Sequence, residues 1–159
     1  MRLVFAPWIV VTLFVAFSLL ASVAPRSAYP PDSVTGDTDP AITQSNIHKT
    51  VCVANYTATV RPPESYTYHL KVKQMRAFGF QGRPSAFEED HRVPLSVGGS
   101  PTSPRNLSPQ PWVGPYNAHM KDRLEDAVHH DICSGRLTLA QGRAIFMGDF
   151  WAEYKRRFK

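Results

Sequence analysis

Cysteine is scarce here: Cys52 and Cys133 are the two among 159 residues. Neither belongs to a CxxC pair and no histidine pattern stands near them in sequence, which excludes the spacing of a zinc finger or ribbon. An HExxH helix is also missing, as is a Ser/His/Asp order, so the familiar zinc-protease and acyl-transfer arrangements are set aside. No internal repeat is visible, and the length leaves no room for two sizeable cores. Charge of one sign is only mildly in excess, with 18 Lys and Arg against 13 Asp and Glu. Removing the first 28 residues takes two basic residues and no acid, leaving 16 against 13, about +3. That balance suits a polyanionic partner without demanding one.

What is present begins with one apolar run, Trp8 to Ala24, behind a short start carrying Arg2. A basic start, an apolar run and small residues at its end describe a secretory signal, with Ser22-Val23-Ala24 as a cleavage site. The run is slightly long and Pro25 is a poor residue after a cut, so an uncleaved N-terminal anchor stands as the alternative. Either way the expected location is outside the cytoplasm, secreted or membrane-anchored and facing out. In that compartment an even pair of cysteines reads as a Cys52–Cys133 disulfide, which closes a loop of about 80 residues and contributes roughly 4 kcal/mol. The expected organisation is a signal or anchor over 1–24, a flexible linker rich in Pro, Ser, Thr, Asp and Gly over 25–40, and one domain over 41–159.

Within that domain, "AITQSNIHKTVCV" suggests a short helix. Prolines 62 and 63 ahead of Glu64 then open a helix that places Tyr68, Val72, Met75 and Phe78 on one stripe and stops at Gly79. "AFEEDHRVPL" reads as a strand and "RNLSP" as its returning arm, a loose hairpin with a long loop. Tyr116, Met120, Leu124, Ala127, Val128 and Ile132 form the apolar stripe of a further helix, with Gly135 as its stop. A final helix or helix pair starts at Thr138 as N-cap, weakened by Gly142 and Gly148. The fold class is α+β, a small and mostly helical domain around a hairpin-helix core.

The chemistry-bearing residues form an ordered series. Glu88-Glu89-Asp90-His91 leads, followed by Pro94-Leu95, Gly98-Gly99, Pro104-Arg105-Asn106-Leu107, and Asn117-Ala118 with Lys121-Asp122 and Leu124-Glu125. This series resembles the HNH (His-Me finger, ββα-metal) endonucleases, in particular small exported members reading "EEDH…PL…GG…P…RNL…P" and then "NA…KD.LE". The resemblance covers about residues 86 to 126, with looser likeness in the flanks. It implies a ββα-metal core and phosphodiester hydrolysis of nucleic acid with 5′-phosphate products. DNA is expected before RNA, and a monomeric chain is expected; no specificity module is visible, so low sequence preference is the expectation.

The residue types suit that chemistry. Phosphodiester cleavage needs a base to activate water and a cation to stabilise charge on the phosphate and leaving oxygen. Neutral His91 can be the base, since imidazole titrates in the physiological range. By resemblance Asn106, or backbone near it, holds the ring, and Asp90 ligates the metal. Neighbours on a strand diverge, which would suit that division of roles.

Many HNH proteins carry histidine at the third position; here the candidates are Asn117 and His119. On a helical wheel Asn117 falls in the apolar stripe and His119 well round towards solvent, which favours Asn117 as ligand and His119 as a surface residue. Asp90 with an amide makes an all-oxygen site, favouring Mg²⁺, or Mn²⁺ or Ca²⁺, over Ni²⁺ or Zn²⁺.

Arg105 and Lys121 are candidates to meet substrate phosphates, although Lys121 also reads as an exposed charge paired with Glu125. His129 and His130 read as solvated. The basic, aromatic tail "WAEYKRRFK" could grip a nucleic-acid backbone or simply pack on the core. A non-catalytic nucleic-acid or polyanion binder on the same scaffold is the alternative function.

Overall fold

A two-stranded antiparallel sheet joins an α+β chain that is about half helical among the described residues. The computed structural model describes Pro31 and residues 33–159. The expected signal or anchor over 1–24 and the first part of the expected linker lie outside the described residues. Strand β1, Phe87–His91, pairs with β2, Leu107–Pro111, in the register Phe87↔Pro111, Glu88↔Gln110, Glu89↔Pro109, Asp90↔Ser108 and His91↔Leu107. Pro109 and Pro111 are tolerated because they stand at alternate positions of a strand with one free edge, where no N–H is required for pairing. Period-2 alternation puts Glu88, Asp90, Ser108 and Gln110 on one face and Phe87, Glu89, His91 and Leu107 on the other.

A short helix, α1 (Tyr56–Val60), precedes α2 (Glu64–Phe78). α2 opens behind two prolines and closes at Gly79, whose φ of 74° is the left-handed conformation a helix C-terminus favours. It covers the His91 face: Gln74 donates to the Leu107 carbonyl at 2.9 Å and Lys71 to the Phe87 carbonyl at 2.8 Å. The opposite face looks towards α3 (Ala118–Cys133). Asn117 caps that helix by accepting from the Met120 N–H at 3.1 Å. α4 (Leu139–Met147) starts on a Thr138/Gln141 capping box and α5 (Phe150–Arg157) on Asp149. The expected final element is therefore a pair of helices, divided at Gly148.

The core joins α3, α4 and α5 to the N-terminal segment through Ile42, Ile47, Val51, Leu124, Val128, Ile132, Phe146 and Phe150. Gly142 is not merely a weak spot in α4. A Cβ there would collide with Ile132 and press on Val128, so the residue lets α3 and α4 approach closely. The Cys52–Cys133 disulfide is present and ties the N-terminal segment to the end of α3.

Two expectations are corrected. Tyr68, placed on the apolar stripe of α2, is 47 % exposed, because the sheet is narrow and α2 buries only Gln74 and Met75 fully. The stretch assigned to a flexible linker is folded over residues 33–40. Val34 is 1 % exposed, Thr38 bridges Gly99, and Asp37 binds Ser103 and Arg105. Polar residues fold there because partners about 66 residues away satisfy them, which local composition cannot reveal.

Candidate active site

His91 ends β1, where the chain leaves the sheet into the loop 92–106. The ring is buried, 4 % exposed, and Nε2 lies 2.9 Å from the Pro101 carbonyl oxygen. A carbonyl can only accept, so Nε2 carries the hydrogen, and in the neutral ring Nδ1 keeps its lone pair. Burial pushes the imidazole below its ordinary value, assisted by Arg61 and Lys121 and opposed by the Pro101 bond and Asp90. The result is a neutral imidazole with an assigned tautomer.

Asn106 is fully buried at the far end of the same loop. It accepts from the Val93 N–H at 2.8 Å and donates to the Val93 and Ser100 carbonyls at 3.0 and 2.9 Å. It touches the backbone two residues after His91 and one residue before Pro101, so it holds the loop that holds the ring. Gly99 completes this clamp, since a Cβ there would overlap the Val93 carbonyl and crowd Asn106. The two glycines therefore do more than turn the chain: Gly98 has the positive φ, and Gly99 permits the close approach.

Asp90 points to the other face, where its Oδ2 is 2.7 Å from the Lys121 ammonium. Lys121 is not the exposed charge expected; its side chain is 0 % exposed. It bonds Asp90, Glu125 and the His91 carbonyl (2.8 Å), which satisfies all three of its N–H donors. Burial would lower its pKa, but Asp90 and Glu125 more than reverse this and keep it charged. The pairing with Glu125 is as expected from sequence, and the burial and the bond to Asp90 are not. Around it, burial first and then Asp90 raise Glu88 and Glu89 to about 8 each, while burial raises Glu125 and Asp122.

Asn117 stands one turn before Lys121, as the cap of α3 rather than inside it. Its amide nitrogen donates to the Gly114 carbonyl at 2.7 Å. His119 is exposed and stacks on Trp112 with ring centroids 5.4 Å apart, in keeping with its reading as a surface residue. Arg105 is exposed and paired with Asp37 at 2.9 Å, and Lys121 is sealed in; neither is a free phosphate ligand. His91 and Asp90 diverge to opposite faces, linked through Lys121, which bonds the carboxylate of one and the carbonyl of the other.

The donor types on the α3 side are those a hard divalent cation takes. A carboxylate offers about four lone-pair sites and an amide oxygen two, so Lys121 on Asp90 and Met120 N–H on Asn117 exhaust neither. Glu88 Oε1, Ser108 Oγ and Gln110 Oε1 share the Asp90 face and are buried with no hydrogen-bond partner among the described residues. Spare buried oxygens beside carboxylates of raised pKa suit a hard, hydrated cation.

One histidine was misread. His129 is half-buried, 2.8 Å from the Val51 carbonyl, and its ring nitrogen lies within 4.8 Å of both cysteine sulfurs. The signal was its i,i+4 spacing to Cys133. With the sulfurs bonded to each other the trio is a disulfide beside an imidazole, since thiolates are what ligate metals. No family model, curated protein or solved structure matches this chain.

Proposed function

We infer that this chain is an exported, metal-dependent endonuclease of HNH type, its hairpin and α3 forming a ββα-metal core. It hydrolyses phosphodiester bonds of nucleic acid with little sequence preference, DNA before RNA. The observation that carries this reading is the His91 ring, buried, neutral, and bonded through Nε2 to the Pro101 carbonyl. That geometry leaves Nδ1 to take a proton from water, and the Asn106 clamp fixes where Nδ1 stands. Asp90 and Asn117 would hold the cation, Mg²⁺ by their all-oxygen chemistry, and when bound it stabilises charge on the phosphate and leaving oxygen. Lys121 orients Asp90 through their 2.7 Å ion pair.

The experiment is incubation of the mature protein with plasmid and with RNA, in Mg²⁺ or EDTA, beside His91→Ala. Cleavage lost in both EDTA and the variant is expected. Cleavage that survives both would sink the mechanism. Asn117→Ser keeps a capping oxygen but removes the amide, so it should weaken metal-dependent cleavage far more than His119→Ala.

One observation favours a second reading, a non-catalytic binder of nucleic acid or another polyanion. The Lys121 ammonium already supplies a positive charge to Asp90. That protein would bind its partner unchanged in EDTA and as His91→Ala, and would cut nothing.

A further inference from the structure

Most of the cations that sequence suggested for substrate contact are engaged elsewhere. Arg105 is held by Asp37 and Lys121 by Asp90 and Glu125. In the C-terminal tail Arg156 is held by Glu153, Arg157 by Glu153 and Asp131, and Lys155 lies over the Tyr116 ring. The segment 61–83 is different. It carries five Lys and Arg against one acid, Glu64. Lys71 is turned inwards to the Phe87 carbonyl, while Arg61, Lys73 and Arg76 are exposed and form no ion pair among the described residues.

Lys73 and Arg76 line a shallow depression of about 570 Å³ on the outer face of α2, together with Tyr68, His69 and Val72. α2 covers the sheet face on which His91 stands, and the Tyr66 hydroxyl in its first turn donates to the Thr102 carbonyl at 2.5 Å, next to Pro101. Arg61 is exposed just ahead of α2.

We propose that the outer face of α2, through Arg61, Lys73 and Arg76 with Tyr68, is the track on which a nucleic-acid strand lies. This rests on the nuclease reading for its partner and adds the surface that reading lacked. Unpaired cations next to an exposed aromatic suit a phosphate backbone with a base stacked beside it. From Arg61 to Arg76 a helical path spans about 20 Å, on the order of six 3.4 Å steps of a duplex strand.

The test measures binding of fluorescein-labelled duplex and single-stranded DNA by anisotropy over a salt series. It uses the full chain carrying His91→Ala, and the unsubstituted chain in EDTA as a second form. Lys73→Ala with Arg76→Ala should lower affinity. It should also flatten the slope of log K against log salt by roughly 1.8 on duplex or roughly 1.4 on single strands, as two lost phosphate contacts require. Lys155→Ala with Arg156→Ala should leave both unchanged. Unaltered affinity and slope in the α2 pair, or the loss appearing in the tail pair instead, overturns the proposal. A pair effect seen with a sulfated polysaccharide or anionic vesicles but not with DNA overturns it too. Plasmid cleavage separates the two readings. Cleavage that persists with DNA binding indifferent to α2 rejects the track and leaves the nuclease standing, whereas α2-dependent binding without cleavage rejects the nuclease and keeps the track.

Discussion

A buried imidazole with one nitrogen committed to a carbonyl is a different acid from a free one. His91 holds fewer protons folded than unfolded wherever the pH lies between its lowered folded value and the ordinary 6.5. Two outcomes follow from that sign. The base form persists into mildly acidic solution, so the acid limb of kcat/KM against pH should fall below 6.5, and a limb at or above 6.5 would contradict it. Stability should also decline as pH drops below the unfolded value, because the unfolded chain then takes up a proton the folded ring resists. Glu88 runs the other way. Burial, then Asp90 and Asp122, raise it from 4.5 to about 8, so the folded chain holds a proton that the unfolded chain has released. Its contribution is fully present below 4.5 and is lost as pH rises through 8. Glu88→Gln should therefore flatten the loss of stability between pH 5 and pH 9 in urea titrations; an unchanged alkaline slope would show that Glu88 ionises freely in the fold. His91 and Asn106 both bond the backbone of the short loop between them, so their proximity follows from sequence, whereas the partner of Asp90, Lys121, lies 31 residues on. The orphaned Ser108 and Gln110 were not legible, since their burial follows from strand register, which pairs them with Asp90 and Glu88.

Among the elements, α3 shows what a hydropathy pattern reads and what it passes over. Leu124, Val128 and Ile132 are fully buried, as their spacing requires. Lys121 belongs to the same stripe. Counting about 100° per residue from Tyr116 it falls near 140°, between Val128 near 120° and Ile132 near 160°. Its class as a charged residue hid it, although its angle did not. Asn117, placed on the buried face by the same count, stands outside the helix as its cap, where angles no longer apply. A sealed ammonium with three oxygen partners makes a sharp prediction. Lys121→Met removes the cation and leaves Asp90 and Glu125 facing one another without it, which should cost about 3–5 kcal/mol in chemical denaturation. Adding Glu125→Gln should recover part of that loss by removing one of the two stranded charges. A cost under about 1 kcal/mol in the single variant would mean that water reaches the pair, as it does for surface ion pairs.

At the scale of the whole molecule, exposed cations without ion-pair partners among the described residues line the outer side of α2, and a cluster of carboxylates faces α3. The covalent frame that preserves this layout is the Cys52–Cys133 bond. Its partners are 81 residues apart, and the loop between them contains α1, α2, the hairpin and all of α3 up to its last residue. The cysteine count made the pairing legible from sequence. The docking of residues 33–40 on the loop 98–105 was not, because a run of Pro, Thr, Asp and Gly carries no apolar period to follow. Closing a loop of this length removes chain entropy from the unfolded state worth about 4–5 kcal/mol. That is a large part of the roughly 5–15 kcal/mol by which a domain is stable. The double variant Cys52→Ala/Cys133→Ala should therefore unfold at a markedly lower urea concentration, and the native chain should shift in gel mobility on reduction. If the double variant keeps its urea midpoint, the unfolded chain is already compact enough that the crosslink removes little freedom. The N-terminal segment would then be held by its core contacts through Ile42, Ile47 and Val51 instead of by the disulfide.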